Sequence, residues 1–131
     1  MNAVELSDAI AQLCETDTSV THGTLRHRFG EDAVIGDYQI SLEENLVMFV
    51  GASKSLADAI QILRKEHPAR VVLRPIEFLC HIVDRSPIPR NMPMAQRVPK
   101  NGYKTPHFVS LCFSPAKGHE KYIPRNQQDA G

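Results

Sequence analysis

Proline governs what the last third of this chain can become. Seven of the nine prolines, at 87, 89, 93, 99, 106, 115 and 124, lie after residue 84. Each removes a backbone N–H and holds φ at about −65°, which excludes residues 85–106 from a helix and from a central strand. That stretch is expected to run as an extended arm, polyproline-like in part, that orders on contact. The expected organisation is an α+β core over residues 1–84, a basic Pro-rich arm over 85–106, and a final strand and tail over 107–125 packing on the same domain. Residues 126–131 are expected to fray.

With 131 residues, one domain is the default. At 42% apolar and 23% charged residues, the chain has enough apolar matter for a core and too little net charge for disorder. No apolar run approaches the roughly 20 residues that span a bilayer, so no membrane is expected as partner. Met1-Asn2-Ala3-Val4-Glu5 lacks the basic and apolar regions of a signal peptide. The three cysteines, Cys14, Cys80 and Cys112, are odd in number and widely spaced, which fits a reducing, cytoplasmic setting better than a disulfide framework.

Charge sums to zero but is not evenly distributed. Residues 1–84 carry seven bases against thirteen acids, a net of −6; residues 85–131 carry eight bases against Glu120 and Asp129, a net of +6. Between Arg85 and His119 there is no acid. A basic arm of this kind meets something anionic, either a nucleic acid or the acidic half of its own molecule or of a second copy.

Local periodicity places the elements. Asn2 and Glu5 form a capping-box start for a helix over about 3–15, with Leu6, Ile10, Leu13 and Cys14 on one face. Thr21 caps a second helix over 22–29 that Gly30 stops; Leu25 and Phe29 face inward, leaving Arg26, His27 and Arg28 outside. The period then shortens to two. Tyr38, Ile40 and Leu42 mark a half-buried strand, residues 43–45 a turn, and residues 46–50 a more deeply buried strand ended by Gly51. Ser53 or Ser55 caps a third helix that reaches Glu66 and stops at Pro68. Residues 70–74 read as a strand, Pro75 opens a fourth helix through Ile76, Leu79, Cys80 and Val83, and residues 108–113 form a last strand. The result is an α+β fold with three to four helices and a small, mostly antiparallel sheet.

Helix, polar turn, short basic helix and hairpin follow one another in the first 50 residues. The second helix offers His22, Thr24, Arg26, His27 and Arg28, and Arg and Thr suit base edges and phosphates. Thr18–Gly30 resembles the recognition segment of winged-helix DNA-binding domains, which implies a helix laid in the major groove and a hairpin along the backbone. Against this, Glu43 and Glu44 occupy the tip where a wing wants Lys or Arg, and Arg26 and Arg28 equally suit a solvated face paired with nearby acids.

The arm offers a second constellation. Arg85, Arg90, Arg97, Lys100, Lys104 and Lys117 are interleaved with Tyr103, His107 and Phe108, and Asn101-Gly102 makes a tight turn that presents them. Cations with occasional aromatics suit a phosphate backbone and unpaired, stacked bases. The alternative is a strap whose bases answer Glu15, Asp17, Glu31 and Asp32. Met92 and Met94 fit that strap or a pliable contact with a protein partner.

Catalytic signatures are sparse. None of the six histidines shows HExxH spacing and no CxxC occurs, so no metal or other cofactor is expected. Cys80 and Cys112 read as packing residues. Gly51-Ala52-Ser53-Lys54 has only one glycine with which to hold a phosphate at a helix start. The leading expectation is thus a small, non-catalytic, regulatory protein that binds DNA or RNA through Thr24, Arg26, His27, Arg28, Arg90, Arg97, Lys100, Tyr103 and Lys104. The alternative is a protein-interaction module, an inhibitor, adaptor or homodimer subunit, docking through the Pro/Met/aromatic arm. A metal-dependent nuclease using His107 ranks third.

Overall fold

The computed structural model describes residues 1–95 and 99–116. Arg97, Lys117 and the tail from 117 onward, including the expected fraying of 126–131, lie outside the described residues. Helix α1 (Ala3–Thr16) opens on the expected reciprocal cap: the Asn2 side chain accepts from the Glu5 amide at 2.8 Å and the Glu5 carboxylate accepts from the Asn2 amide at 3.0 Å. Helix α2 (His22–Phe29) is capped in the same way by Thr21 and Thr24. Helix α3 (Glu31–Val34), a single turn absent from the sequence reading, leads into the hairpin of β1 (Ile35–Glu43) and β2 (Leu46–Ala52). Helix α4 (Lys54–Glu66) starts at Ser53, whose hydroxyl accepts from the Leu56 amide. Strand β3 (Val71–Pro75), helix α5 (Leu79–Val83), and strands β4 (His107–Phe108) and β5 (Leu111–Pro115) complete the order.

The expected α+β class holds. Its five described helices include the two short ones, α3 and α5. The strands form two small sheets: β1-β2-β4, in which β2 and β4 run parallel, and an antiparallel β3-β5 pair. The core lies between them and two helices. Helix α1 contributes Leu6, Ile10, Ala11 and Cys14; α4 contributes Leu56, Ala59, Ile60 and Leu63, spaced i, i+3, i+4, i+7. These faces pack on each other, and each fully buried Leu or Ile contributes about 1.5–3 kcal/mol over its exposed state.

Five expectations give way. Tyr38 is exposed, because the β1–β2 register shifts on both sides of it. Gly51 does not end β2; it sits at φ +64° one residue before the end, with Pro87 close to where its Cβ would be. Pro75 opens no helix: it is the last residue of β3, opposite Leu111, and α5 forms only from Leu79. The expected inward face of that helix is reversed too, since Leu79 and Val83 are 59% and 73% exposed while His81 is buried. Finally, residues 108–113 are two strands in two sheets. The chain crosses between them at Val109-Ser110, where the Val109 amide donates to the Val47 carbonyl and the Ile76 amide to the Ser110 carbonyl.

The described residues of the arm contain no helix, and residues 93–95 run along the free edge of β4. The Phe108 amide donates to the Pro93 carbonyl at 2.9 Å and the Ala95 amide to the Phe108 carbonyl at 2.8 Å, a parallel bridge at Met94. Pro93 has no N–H to offer, but its carbonyl is free to accept, which is how a proline segment can serve a sheet edge. No helix among the described residues is long and apolar enough to cross a membrane.

Candidate nucleic-acid interface

Helix α2 turns most of its polar side chains inward. His22 was expected to be a base-reading side chain, yet it is 1% exposed, with its ring edge-on to Phe49 at a centroid distance of 5.2 Å. Burial, aided by the nearby charges of Arg26 and His81 and opposed by Asp84, pushes its pKa down to about 4, so it is neutral in the fold. A signal for this was present: His22, Leu25 and Phe29 lie at helical spacing on one face. Thr24 is half-buried and its hydroxyl belongs to the α2 cap.

Arg26 was expected to point outward and does not. Its guanidinium donates from Nη2 to the Asp84 carbonyl and from Nη1 to the Arg85 carbonyl at 3.3 Å, gripping the corner where the arm leaves α5. That corner is tight: Arg85 adopts φ +56°, and the Ser86 amide donates to the His81 carbonyl. The Asp84 carboxylate reaches back to accept from the Gly23 amide at 3.2 Å. Beneath the corner lies His81, its ring edge-on to Phe108 and stacked near Phe78. Burial also lowers its pKa, against the opposing charge of Asp84. A long-range polar contact of this kind leaves no periodic trace in a sequence.

His27 and Arg28 remain exposed on α2. Arg28 borders a groove of about 470 Å³ between α1 and α2, shared with Glu15, Phe29 and Arg70. Arg70 pairs with Asp8 at 3.5 Å and with Glu15 at 3.3 Å. Among the described residues, Glu15 is therefore answered by a base of the acidic half.

In the arm, Arg85, Arg90, Lys100 and Lys104 are all exposed, and none of them enters an ion pair among the described residues. Tyr103 is half-buried against the core and stacks on the ring of His107, centroids 3.5 Å apart and planes 16° apart. The structure thus separates two groups of the expected site residues. Thr24 serves the α2 cap and Arg26 the α5 corner, while Lys100, Tyr103 and Lys104 cluster in sequence around the turn before β4.

Among the described residues no three His, Cys, Asp or Glu side chains come together as metal ligands. The Cys14 thiol is buried, which together with Asp17 pushes its pKa up to about 12, far from that of a nucleophile. Lys54, at the Gly51–Lys54 turn, pairs with Asp58 at 2.8 Å. Compared with protein-family models, curated proteins and solved structures, the chain matches none.

Proposed function

We propose that this protein binds nucleic acid without catalysis, chiefly through the arm. The observation that carries the reading is the state of the arm's cations: Arg85, Arg90, Lys100 and Lys104 are exposed and enter no ion pair among the described residues, in a stretch whose sequence carries no acid. Exposed cations along an extended backbone suit a row of phosphates, and displaced counterions supply the affinity. Arg28 and His27 add two exposed side chains on α2, whereas the inward-turned Arg26 and His22 weaken the case for a helix reading a major groove. Affinity for a labelled oligonucleotide should fall steeply with salt, and Lys100→Ala with Lys104→Ala should flatten that slope. A salt-independent affinity, or no binding at low salt, would remove the proposal.

A second reading rests on α5. Leu79, Ile82 and Val83, at 59%, 51% and 73% exposure, form an apolar face on a helix of five residues. It favours self-association, with the face covered by a second copy. Sedimentation of the wild-type chain and of Val83→Asp decides it: a dimer that the substitution dissociates supports the reading, and a monomer at every concentration rejects it.

A further inference from the structure

The turn before β4 is held more tightly than a surface loop requires. Asn45, in the left-handed region at φ +63° between β1 and β2, grips the 103–107 segment at both ends. Its carbonyl accepts from the His107 amide at 2.9 Å, and its side-chain Nδ2 donates to the Tyr103 carbonyl at 2.8 Å. Between these two points Pro106 restricts the backbone, and before them the Gly102 amide donates to the Pro99 carbonyl with Gly102 at φ +74°. The His107 ring is held as well. Its Nδ1 lies 2.8 Å from the Thr105 carbonyl, which can only accept, so the proton sits on Nδ1 and the ring cannot rotate freely. Tyr103, half-buried against the core, backs that ring at stacking distance.

A flat ring fixed by its backbone, by its own nitrogen and by a second ring has already lost the freedom that a ligand would otherwise have to remove on binding. His107 remains partly exposed, and the exposed cations Lys100 and Lys104 stand seven and three residues before it. We propose that the His107–Tyr103 pair is a stacking platform for one unpaired base of a single-stranded nucleic acid, with Lys100 and Lys104 holding the adjoining phosphates. This rests on the nucleic-acid reading and makes it specific: the strand is single, and one base is taken up on His107. Stacking of a base on a ring is tolerant of sequence, because every base has a π-face.

The test separates bases from phosphates. Full-length protein is titrated by fluorescence anisotropy with a labelled 12-nucleotide oligothymidylate and with an abasic strand of the same length and charge. The wild type is expected to prefer the strand with bases by about five- to a hundredfold, the range of one base–aromatic stack. His107→Ala is expected to abolish that preference. His107→Phe, which keeps a flat ring, is expected to restore it. Equal affinity of the wild type for both strands, or a preference that survives His107→Ala, overturns the platform while the phosphate-binding reading stands. Failure of both strands to bind at low salt overturns the nucleic-acid reading itself, and the platform with it.

Discussion

Arg26 donates to the backbone carbonyl of Arg85, so one arginine of the basic helix holds in place the first arginine of the basic arm. The contact joins two segments 59 residues apart, and it explains why Arg26 is not left to solvent as His27 and Arg28 are. A guanidinium can bridge two adjacent carbonyls because its donors form a rigid fork. Arg26→Ala is therefore expected to destabilise the fold by about 1–3 kcal/mol, read as a lowered urea midpoint. Arg26→Lys should recover only part of this. Arg28→Ala, on the exposed side of the same helix, should leave the midpoint unchanged and weaken oligonucleotide binding. Equal effects of the two alanine variants on stability would contradict the inward orientation of Arg26.

The two buried histidines predict the response to acid. In the unfolded chain a histidine titrates near 6.5, whereas folded His22 titrates near 4. Between those values the unfolded state binds more protons, so the stabilisation is complete above about pH 6.5 and is lost as pH falls toward 4. The shift corresponds to a loss on the order of 3 kcal/mol at the acid end. His81, shifted in the same direction, adds to it. Urea midpoints at pH 7.5, 6 and 5 should decline in that order, and His22→Phe should flatten the decline. A wild-type profile that is flat over this range would show that neither ring is buried neutral.

Gly23 offers a test in which the usual sign is reversed. Replacing a helical glycine by alanine ordinarily stabilises by about 1 kcal/mol. Here a Cβ at position 23 would lie 2.5 Å from Cγ of Asp84, well inside contact distance. Gly23→Ala is expected to destabilise by about 1–3 kcal/mol, and to cost much less in the background of Asp84→Ala. A double-mutant cycle by chemical denaturation measures the coupling. Additive effects would place Asp84 away from α2.

Asn45 carries two burdens that substitution can separate. Asn45→Gly keeps the left-handed backbone and loses only the bond to Tyr103. Asn45→Ala loses both, and should be less stable than the glycine variant by about 1 kcal/mol in thermal unfolding. If the two variants melt alike, the left-handed geometry of the β1–β2 turn contributes nothing.

Where a segment's partners lie within a few residues, its structure was legible in advance. The caps at Asn2 and Thr21, a serine cap at 53 or 55, the apolar stripe of α4 and the turn at Asn45 all follow from local spacing, because a helix turn or a hairpin closes on itself. The same holds for the absence of helix among the described residues of the arm, since each proline acts on its own φ and N–H. Where partners lie far away, periodicity misled. Tyr38 alternates correctly with Ile40 and Leu42, but a slipped register against β2 turns it outward. Residues 108–113 read as one strand because Phe108, Val109, Leu111, Cys112 and Phe113 are all buried, and continuous burial hides the change of sheet.

The candidate site divides along the same line. Amino-acid order alone dictated that cations crowd into an acid-free, proline-rich stretch and that aromatic residues sit among them. Only the packed chain decided which cations reach solvent. Arg26 was drawn inward to the carbonyls of a tight corner, whereas Lys100 and Lys104 are exposed and enter no ion pair among the described residues. The rings of Tyr103 and His107, four residues apart, meet because a turn 58 residues upstream of Tyr103 clamps both ends of the segment that carries them. Charge and backbone restriction are properties of residues and survive in a string of letters; facing and pairing are properties of distances, which exist only after folding.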